Sequence, residues 1–299
     1  MYDVIVAGGS YAGMAAALQL VRARRKVLVI DAGRRRNRFA RVSHGLLGQD
    51  GRSPDAIHAE ARAQLSAYPD LSWREGRIAE AARDADADAF IVRTQGGAVS
   101  RGRRLILATG VSDRLPDVPG LAERWGDTVA ACPYCHGYEF GLGRLGVLAA
   151  GELSLHHAFL VPEWASSTVL FTNGMLAPTA QQLEQLAARN VTVEDAPVAE
   201  VFGDKASVRL GDGRTVALDG LFVAPRIDQD PLVARLGCAT ADGPMGPFIQ
   251  TDDVKMTTVP GVFACGDAAR MMASLSLAIA DGALAGIGAH RSLVFEGIA

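Results

Sequence analysis

The chain opens on an apolar run from Tyr2 to Ala7, followed by a glycine-rich turn and then apolar residues at helical spacing from Met14 to about Arg24. A second apolar run, Val27 to Ile30, ends in Asp31, so this stretch predicts strand, turn, helix and strand closed by an acid. Ser53-Pro54 opens an amphipathic helix reaching Ala67, since serine caps a helix and proline suits its first turn. From Gly76 to Val99 short apolar stretches alternate with polar turns, the pattern of a meander, and Arg104 to Ala108 reads as a buried strand. A second strand-turn-helix signal starts at Leu145, and further strands are predicted over Thr168–Thr172, Val191–Glu194 and Leu221–Ala224. Between the last two, Ala206–Leu210 and Thr215–Leu218 flank Gly211-Asp212-Gly213 as a hairpin. The tail returns to strand at Val262–Ala264, turns at Gly266-Asp267 and forms a small-residue helix from about Leu275 to His290.

Two strand-turn-helix units in 299 residues predict two domains. The 33 glycines add to that picture, because close turns around phosphate-bearing cofactors need residues without side chains. A net charge of -3 leaves no basic excess for a nucleic acid or an anionic membrane, so neither is expected as a partner. The local exception is Arg34, Arg35, Arg36 and Arg38, which suits either a solvated loop or contact with cofactor phosphates. The first strand begins without a basic leader and no apolar run approaches the ~18 residues of a membrane span, so a cytoplasmic location is expected.

In the first turn, Gly8, Gly9 and Gly13 let backbone approach a pyrophosphate while the free N–H groups of Ser10, Tyr11 and Ala12 open the helix. Ser10 replaces the usual middle glycine with a small side chain, and Asp31 stands where a carboxylate would accept ribose hydroxyls. A glycine-rich packing turn is the alternative, but strand, helix and terminal acid all agree with a dinucleotide site.

Four cysteines are present, and only Cys132 and Cys135, in Cys-Pro-Tyr-Cys-His-Gly-Tyr-Glu, have the spacing of a redox pair. Two cysteines at a helix start can close a small ring, and the helix end would lower a thiol pKa. Half of a zinc site or an inert buried pair are the competing readings; Cys238 and Cys265 stand isolated, so no metal is expected. His136 follows the pair and could exchange protons with it near neutral pH, or serve only as a structural histidine.

Ala108-Thr109-Gly110 after one strand and Cys265-Gly266-Asp267 after another complete a series that resembles the low-molecular-weight thioredoxin-reductase branch of the flavoprotein disulfide reductases. The resemblance covers nearly the whole chain. It implies an α/β protein with two Rossmann-like, three-layer ββα domains: FAD-binding segments over 1–112 and 246–299, and an inserted NAD(P)H-binding-like domain over 113–245 that carries the thiol pair. It also implies that Ala108, Thr109 and Gly110 close the first FAD segment, that Gly266 and Asp267 hold the ribityl chain, and that Ala278 to Gly282 run beside the isoalloxazine. Cys135 would then be the thiolate beside the flavin and Cys132 would exchange with substrate. Homodimerisation follows from the same likeness, with Ile287, Leu293, Val294 and Phe295 of the last helix available for an interface.

The branch places aspartate where this chain has His136, and its second turn carries glycines that here read Ala149-Ala150-Gly151-Glu152-Leu153-Ser154. Ala149 crowds a pyrophosphate, Glu152 adds negative charge, and Thr172-Asn173-Gly174 replaces the branch's basic run, all of which argue against NAD(P)H. The thiol run and the Gly-Gly-Ser-Tyr-Ala-Gly turn are more similar to the dithiol oxidases that close disulfides in gliotoxin, holomycin and related compounds. That likeness implies a small dithiol as substrate and oxygen as acceptor, with His136 as base; His156 and His157 either assist it or simply pack or face solvent. An NAD(P)H-dependent reductase acting on a thioredoxin-like protein, a ferredoxin-linked disulfide reductase and a non-catalytic redox sensor are the other readings.

Overall fold

The protein was analysed as a computed structural model that describes residues 1–85 and 87–297. β1 (Tyr2–Ala7), α1 (Tyr11–Arg22) and β2 (Val27–Asp31) form the expected opening unit, with β1 and β2 parallel and Val4 opposite Val27. The helix starts at Tyr11 rather than Met14, because Ser10 is extended and acts as the N-cap. α2 (Pro54–Ser66) is capped as its sequence predicts, the Ser53 hydroxyl accepting from the Ala56 N–H at 3.1 Å. β3 (Leu71–Glu75) extends the sheet beyond β2, and β4 (Ile78–Arg83), β5 (Phe90–Thr94) and β6 (Val99–Leu107) form the meander. β6 begins before Arg104 because its first half pairs antiparallel with β5 while its second half runs parallel to β1.

After β7 (Val111–Arg114) the chain enters a second sheet through β8 (Val129–Ala130), the single turn α3 (Pro133–His136), β9 (Arg144–Leu148), α4 (Leu153–Leu160), β10 (Ser167–Phe171), α5 (Ala180–Ala188) and β11 (Val191–Glu194). A three-stranded layer follows, β12 (Val198–Phe202), β13 (Ser207–Leu210) and β14 (Thr215–Val216), in which the last two make the expected hairpin. β15 (Gly220–Val223) then enters the second sheet between β9 and β8, giving the order β11-β10-β9-β15-β8. β16 (Arg226–Gln229) returns antiparallel to β7, so these two strands form the ribbon joining the two sheets. α6 (Pro231–Arg235) and the hairpin of β17 (Thr240–Gly243) and β18 (Gly246–Ile249) precede β19 (Val262–Ala264), which pairs with β6 in the first sheet. α7 (Leu275–Val294) closes the described chain and outruns the expected end at His290. Among the described residues no helix is long and apolar enough to cross a membrane.

The parallel strands of both sheets are covered on two faces, which is why they read as unbroken apolar runs. In the first sheet Val4 and Val6 face α1 and α7, while Ile5 and Ala7 face Phe90 and Val92 of the meander. In the second, Leu145 and Val147 face α4 and α5, and Leu148, Leu221 and Val223 face the three-stranded layer. Each aliphatic side chain so buried contributes about 2 kcal/mol. α1 and α7 lie close enough that a methyl on Gly282 would come 2.0 Å from the Ala12 carbonyl oxygen. That closeness carries the Gly266-Asp267 turn and the start of α7 up against the first glycine turn. Leu293 packs into this core, so the expectation that it faces a partner is corrected, whereas Ile287, Val294 and Phe295 are exposed. The 3.6-residue period explains the difference: Ile287 and Val294 share a side of α7 that Leu293 does not, and Phe295 lies just past its end.

Candidate active site

The first turn, the Ala-Thr-Gly segment and the tail turn converge at the C-terminal ends of β1, β6 and β19. Gly8 holds a φ of +105°, and a methyl there would lie 2.3 Å from the Ala108 carbonyl oxygen; one on Gly13 would lie 1.9 Å from the Gly8 carbonyl oxygen. The Gly9 N–H donates to Asp31 Oδ1 at 3.1 Å, and a methyl on Gly9 would meet the ring of Trp73 at 2.5 Å. Gly266, with φ +69°, faces Ala12 and Ala278. Thr109 Oγ1 and Trp73 Nε1 are buried beside this cradle with no hydrogen-bond partner. Donor-lined backbone, a carboxylate at the β2 end and orphaned polar atoms are what FAD would satisfy, so the residues present fit it. Gly110 follows in the left-handed region, at φ +62°. Tyr11 is different: its buried hydroxyl donates to the Pro54 carbonyl at 3.1 Å and so ties α1 to α2. Trp73 was invisible in the sequence, because β3 alternates too weakly to announce a strand.

The arginine cluster resolves into separate roles. Arg35 pairs with Asp55 and Arg38 lies over the ring of Phe39, but Arg36 turns inward. Its Nε and Nη2 fork onto Asp113 of β7 at 3.0 and 2.5 Å, and its Nη1 reaches Asp267 at 2.8 Å. Burial works against the Arg36 charge, yet its bonds to Asp113 and the charge of Asp267 outweigh that and raise its pKa. One guanidinium thus joins the joining ribbon to the turn that carries Asp267.

Cys132 is the extended N-cap of α3, with Pro133 in the first turn and Cys135 in the helix, and both thiols are free. α3 has only four residues, so the expected helix-end effect is replaced by local donors. The Cys132 pKa is lowered, first by the hydrogen bond from the Cys135 thiol, against burial, and then by backbone N–H groups and the charge of Arg36. Cys135 is pushed up, by sharing its proton with Cys132, by burial and by the negative charge of Glu139. In the reduced pair the thiolate therefore forms first on Cys132, which suits it to exchange. Tyr134 is exposed and packs edge-on against Trp164, with ring centroids 5.2 Å apart.

His136 is half-buried, and burial lowers its pKa in spite of Glu139, so it stands neutral at pH 7 and is equipped to accept a proton rather than to share one evenly. Its Nδ1 is buried without a partner. His44, which sequence patterning gave no reason to select, reaches the same segment: its Nε2 lies 3.4 Å from Glu139 Oε1 and its Nδ1 lies 3.4 Å from Asp50 Oδ2. His157 is buried in α4 and depressed to about 4 by burial, while His156 beside it is exposed. Cys238 donates to Thr257 Oγ1 and Cys265 is buried in the first sheet's core, so neither joins the thiol pair.

At the second turn, Ala149 is buried at the end of β9, and the Ala150 N–H donates to the buried Ser154 hydroxyl at 3.0 Å. That N–H is thus taken up within the turn itself. A cavity of about 290 Å³ lies beside it, lined by Glu152, Arg226 and Met245 among others. No basic side chain stands at Thr172-Asn173-Gly174, where the Thr172 hydroxyl donates to Asp195 instead.

The model of the family described as pyridine nucleotide-disulphide oxidoreductase matches residues 2–282. The chain is 34% identical to thioredoxin reductase tcpT of Claviceps purpurea (strain 20.1), covering 98% of this chain and 95% of that one. Among solved structures it is similar to an oxidoreductase from Agrobacterium tumefaciens, with 52% identity, TM-score 0.95 and 99% of both chains covered. It is similar also to HlmI, with 37% identity, TM-score 0.92 and coverage of 99% of this chain and 93% of that one.

Proposed function

The chain belongs to the pyridine nucleotide-disulphide oxidoreductase family, and on that premise we propose that it is a dithiol oxidase that closes a disulfide in a small substrate and passes the electrons to oxygen. Thioredoxin-reductase-like enzymes of this family are FAD-dependent oxidoreductases acting on sulfur. The observation that supports the oxidase is the self-satisfied second turn, whose Ala150 N–H is taken by Ser154.

Bound FAD supplies the two-electron acceptor for the thiol pair. A substrate thiolate attacks Cys132 of the Cys132–Cys135 disulfide, and Cys135 leaves and takes up a proton, which its burial and the negative charge of Glu139 favour. The second substrate thiol, its proton drawn to neutral His136, attacks the mixed disulfide and expels Cys132, whose lowered pKa makes it the better leaving group. Cys135 is then the member that faces the flavin. Gly8, Gly9, Ser10, Tyr11, Ala12, Gly13, Asp31, Ala108, Thr109, Gly110, Gly266, Asp267 and Ala278 hold the cofactor in this reading, with Arg36 fixing Asp267. The exposed Leu284, Ile287 and Val294 of α7 support a second copy as partner, and a cytoplasmic site of action completes the proposal.

With air present, a small dithiol and no NADPH, the protein should consume one O2 and release one H2O2 for each disulfide closed, measured with an oxygen electrode and a peroxide assay. Absence of oxygen uptake would remove the oxidase. The similarity to thioredoxin reductase tcpT of Claviceps purpurea supports the second reading, an NAD(P)H-dependent thioredoxin reductase.

A further inference from the structure

The first glycine turn is held at both amide groups of Gly9. The Gly9 N–H donates to Asp31 Oδ1 at 3.1 Å, and the Gly9 carbonyl oxygen lies 3.0 Å from Nε2 of His58, a half-buried residue in the second turn of α2. A carbonyl only accepts, so this contact makes Nε2 the protonated nitrogen of the ring. His58 reaches the turn because Pro54, His58 and Arg62, each four residues from the next, share one face of α2. That face has two further contacts near the turn. The Pro54 carbonyl accepts from the Tyr11 hydroxyl at 3.1 Å, and the Arg62 guanidinium lies 4.6 Å from the centre of the Trp73 ring, the ring that a methyl on Gly9 would meet. Ser10, next in the chain, caps α1 without a side-chain bond, whereas Ser53 caps α2 with its hydroxyl.

We propose that His58 is a positioning residue for FAD: by holding the Gly9 carbonyl toward α2 it aims the Ser10 N–H, at the other end of the same peptide unit, at the cofactor's pyrophosphate. The proposal rests on the FAD site of the reading above and not on the final electron acceptor. A peptide unit is planar and trans, so its C=O and N–H point in opposite directions and fixing one fixes the other. With the carbonyl turned to His58, the Ser10 N–H faces away from α2, and it has no hydrogen-bond partner among the described residues. It stands next to the N–H groups of Tyr11 and Ala12, which the first turn of α1 leaves without intrahelical acceptors. Adjacent free N–H groups at a helix start are what a diphosphate binds. Glycine at position 9 makes the clamp necessary, because a residue without a side chain leaves its peptide the freest to swing. A Cβ that would restrain it is excluded, since it would come 2.5 Å from the Trp73 ring and 2.8 Å from Asp31 Cβ. His58 supplies from α2 the restraint that the turn itself has no room for.

The test uses the FAD-loaded protein. His58→Phe keeps a ring and removes the donor, His58→Leu removes the donor with a smaller side chain so that a folding failure in one leaves the other, and His58→Gln offers a side-chain N–H to the same carbonyl. Flavin fluorescence on serial dilution gives the FAD dissociation constant, which should rise about three- to tenfold without the donor, as the loss of one hydrogen bond does, and return toward wild type with glutamine. Phosphorus NMR of the bound cofactor should show the pyrophosphate resonances displaced in His58→Phe and restored in His58→Gln, with the visible flavin band unchanged in both. Ser53→Ala loosens α2 at its cap without touching the Gly9 carbonyl, so it should lower the melting temperature and leave those resonances in place. Several results would overturn the proposal: FAD held as tightly without the donor, FAD weakened with the pyrophosphate resonances unmoved, a glutamine variant that restores neither, or a Ser53→Ala protein that displaces the resonances as far. Wild-type protein that retains no FAD would instead remove the FAD site, and the clamp with it.

Discussion

At the scale of single residues, the proposed reaction turns on a proton shared unequally between two sulfurs. The Cys135 thiol is the largest influence lowering the Cys132 pKa, and the Arg36 charge adds to it. Cys135→Ala should therefore raise the pH midpoint of Cys132 alkylation by iodoacetamide, and Arg36→Gln should raise it by less. An unchanged midpoint in Cys135→Ala would mean that backbone donors alone stabilise the thiolate. The Cys-x-x-Cys spacing made the pair legible, because two thiols three residues apart meet within one turn. The role of Arg36 was open, since four neighbouring arginines look alike until tertiary structure turns one toward Asp113 and Asp267. His44 carried no local signal at all; its partners Asp50 and Glu139 come from its own loop and from a segment distant in sequence.

Among elements, packing between α1 and α7 places the turns of the proposed FAD site. A methyl on Gly282 would sit 2.0 Å from the Ala12 carbonyl and one on Gly286 2.5 Å from the Ala16 carbonyl, both backbone atoms that cannot rotate aside. Gly282→Ala should cost about 1–3 kcal/mol in urea unfolding, as overpacked contacts do, and should weaken FAD retention on dialysis, whereas Gly174→Ala, with open space around it, should leave FAD bound. Strands buried on both faces, such as β1, β10 and β15, were legible to within a residue or so because their apolar runs are unbroken. β3, β12, β17 and the β7–β16 ribbon were not: they are short, partly exposed and mixed in composition, so pairing rather than sequence defines them. The helix expected at the thiols shrank to one turn, closed by the Gly137 N–H to the Pro133 carbonyl at 2.7 Å.

For the whole molecule, stability and function both depend on what burial does to ionisable groups. His157 is 8% exposed and depressed from its ordinary 6.5 to about 4 by burial, so folding favours its neutral form. A lowered folded pKa stabilises above the unfolded value and loses that contribution as pH falls from about 6.5 toward 4, a loss on the order of 3 kcal/mol. His157→Met should flatten this part of the stability curve relative to wild type when urea midpoints are compared at pH 7 and pH 4; parallel curves would show that His157 titrates normally. The order of strands and turns along the chain made the two Rossmann-like units readable. The spent donor at Ala150 was not readable, because a serine four residues on reveals its bond only in the folded turn.

The most direct test of the account is anaerobic stopped-flow absorbance of the FAD-loaded protein, mixed in turn with NADPH and with a small dithiol. The closed second turn predicts fast bleaching of the visible flavin band by the dithiol, reversed on admitting air, and little or none by NADPH on the same timescale; rapid bleaching by NADPH would contradict it and make the protein a reductase.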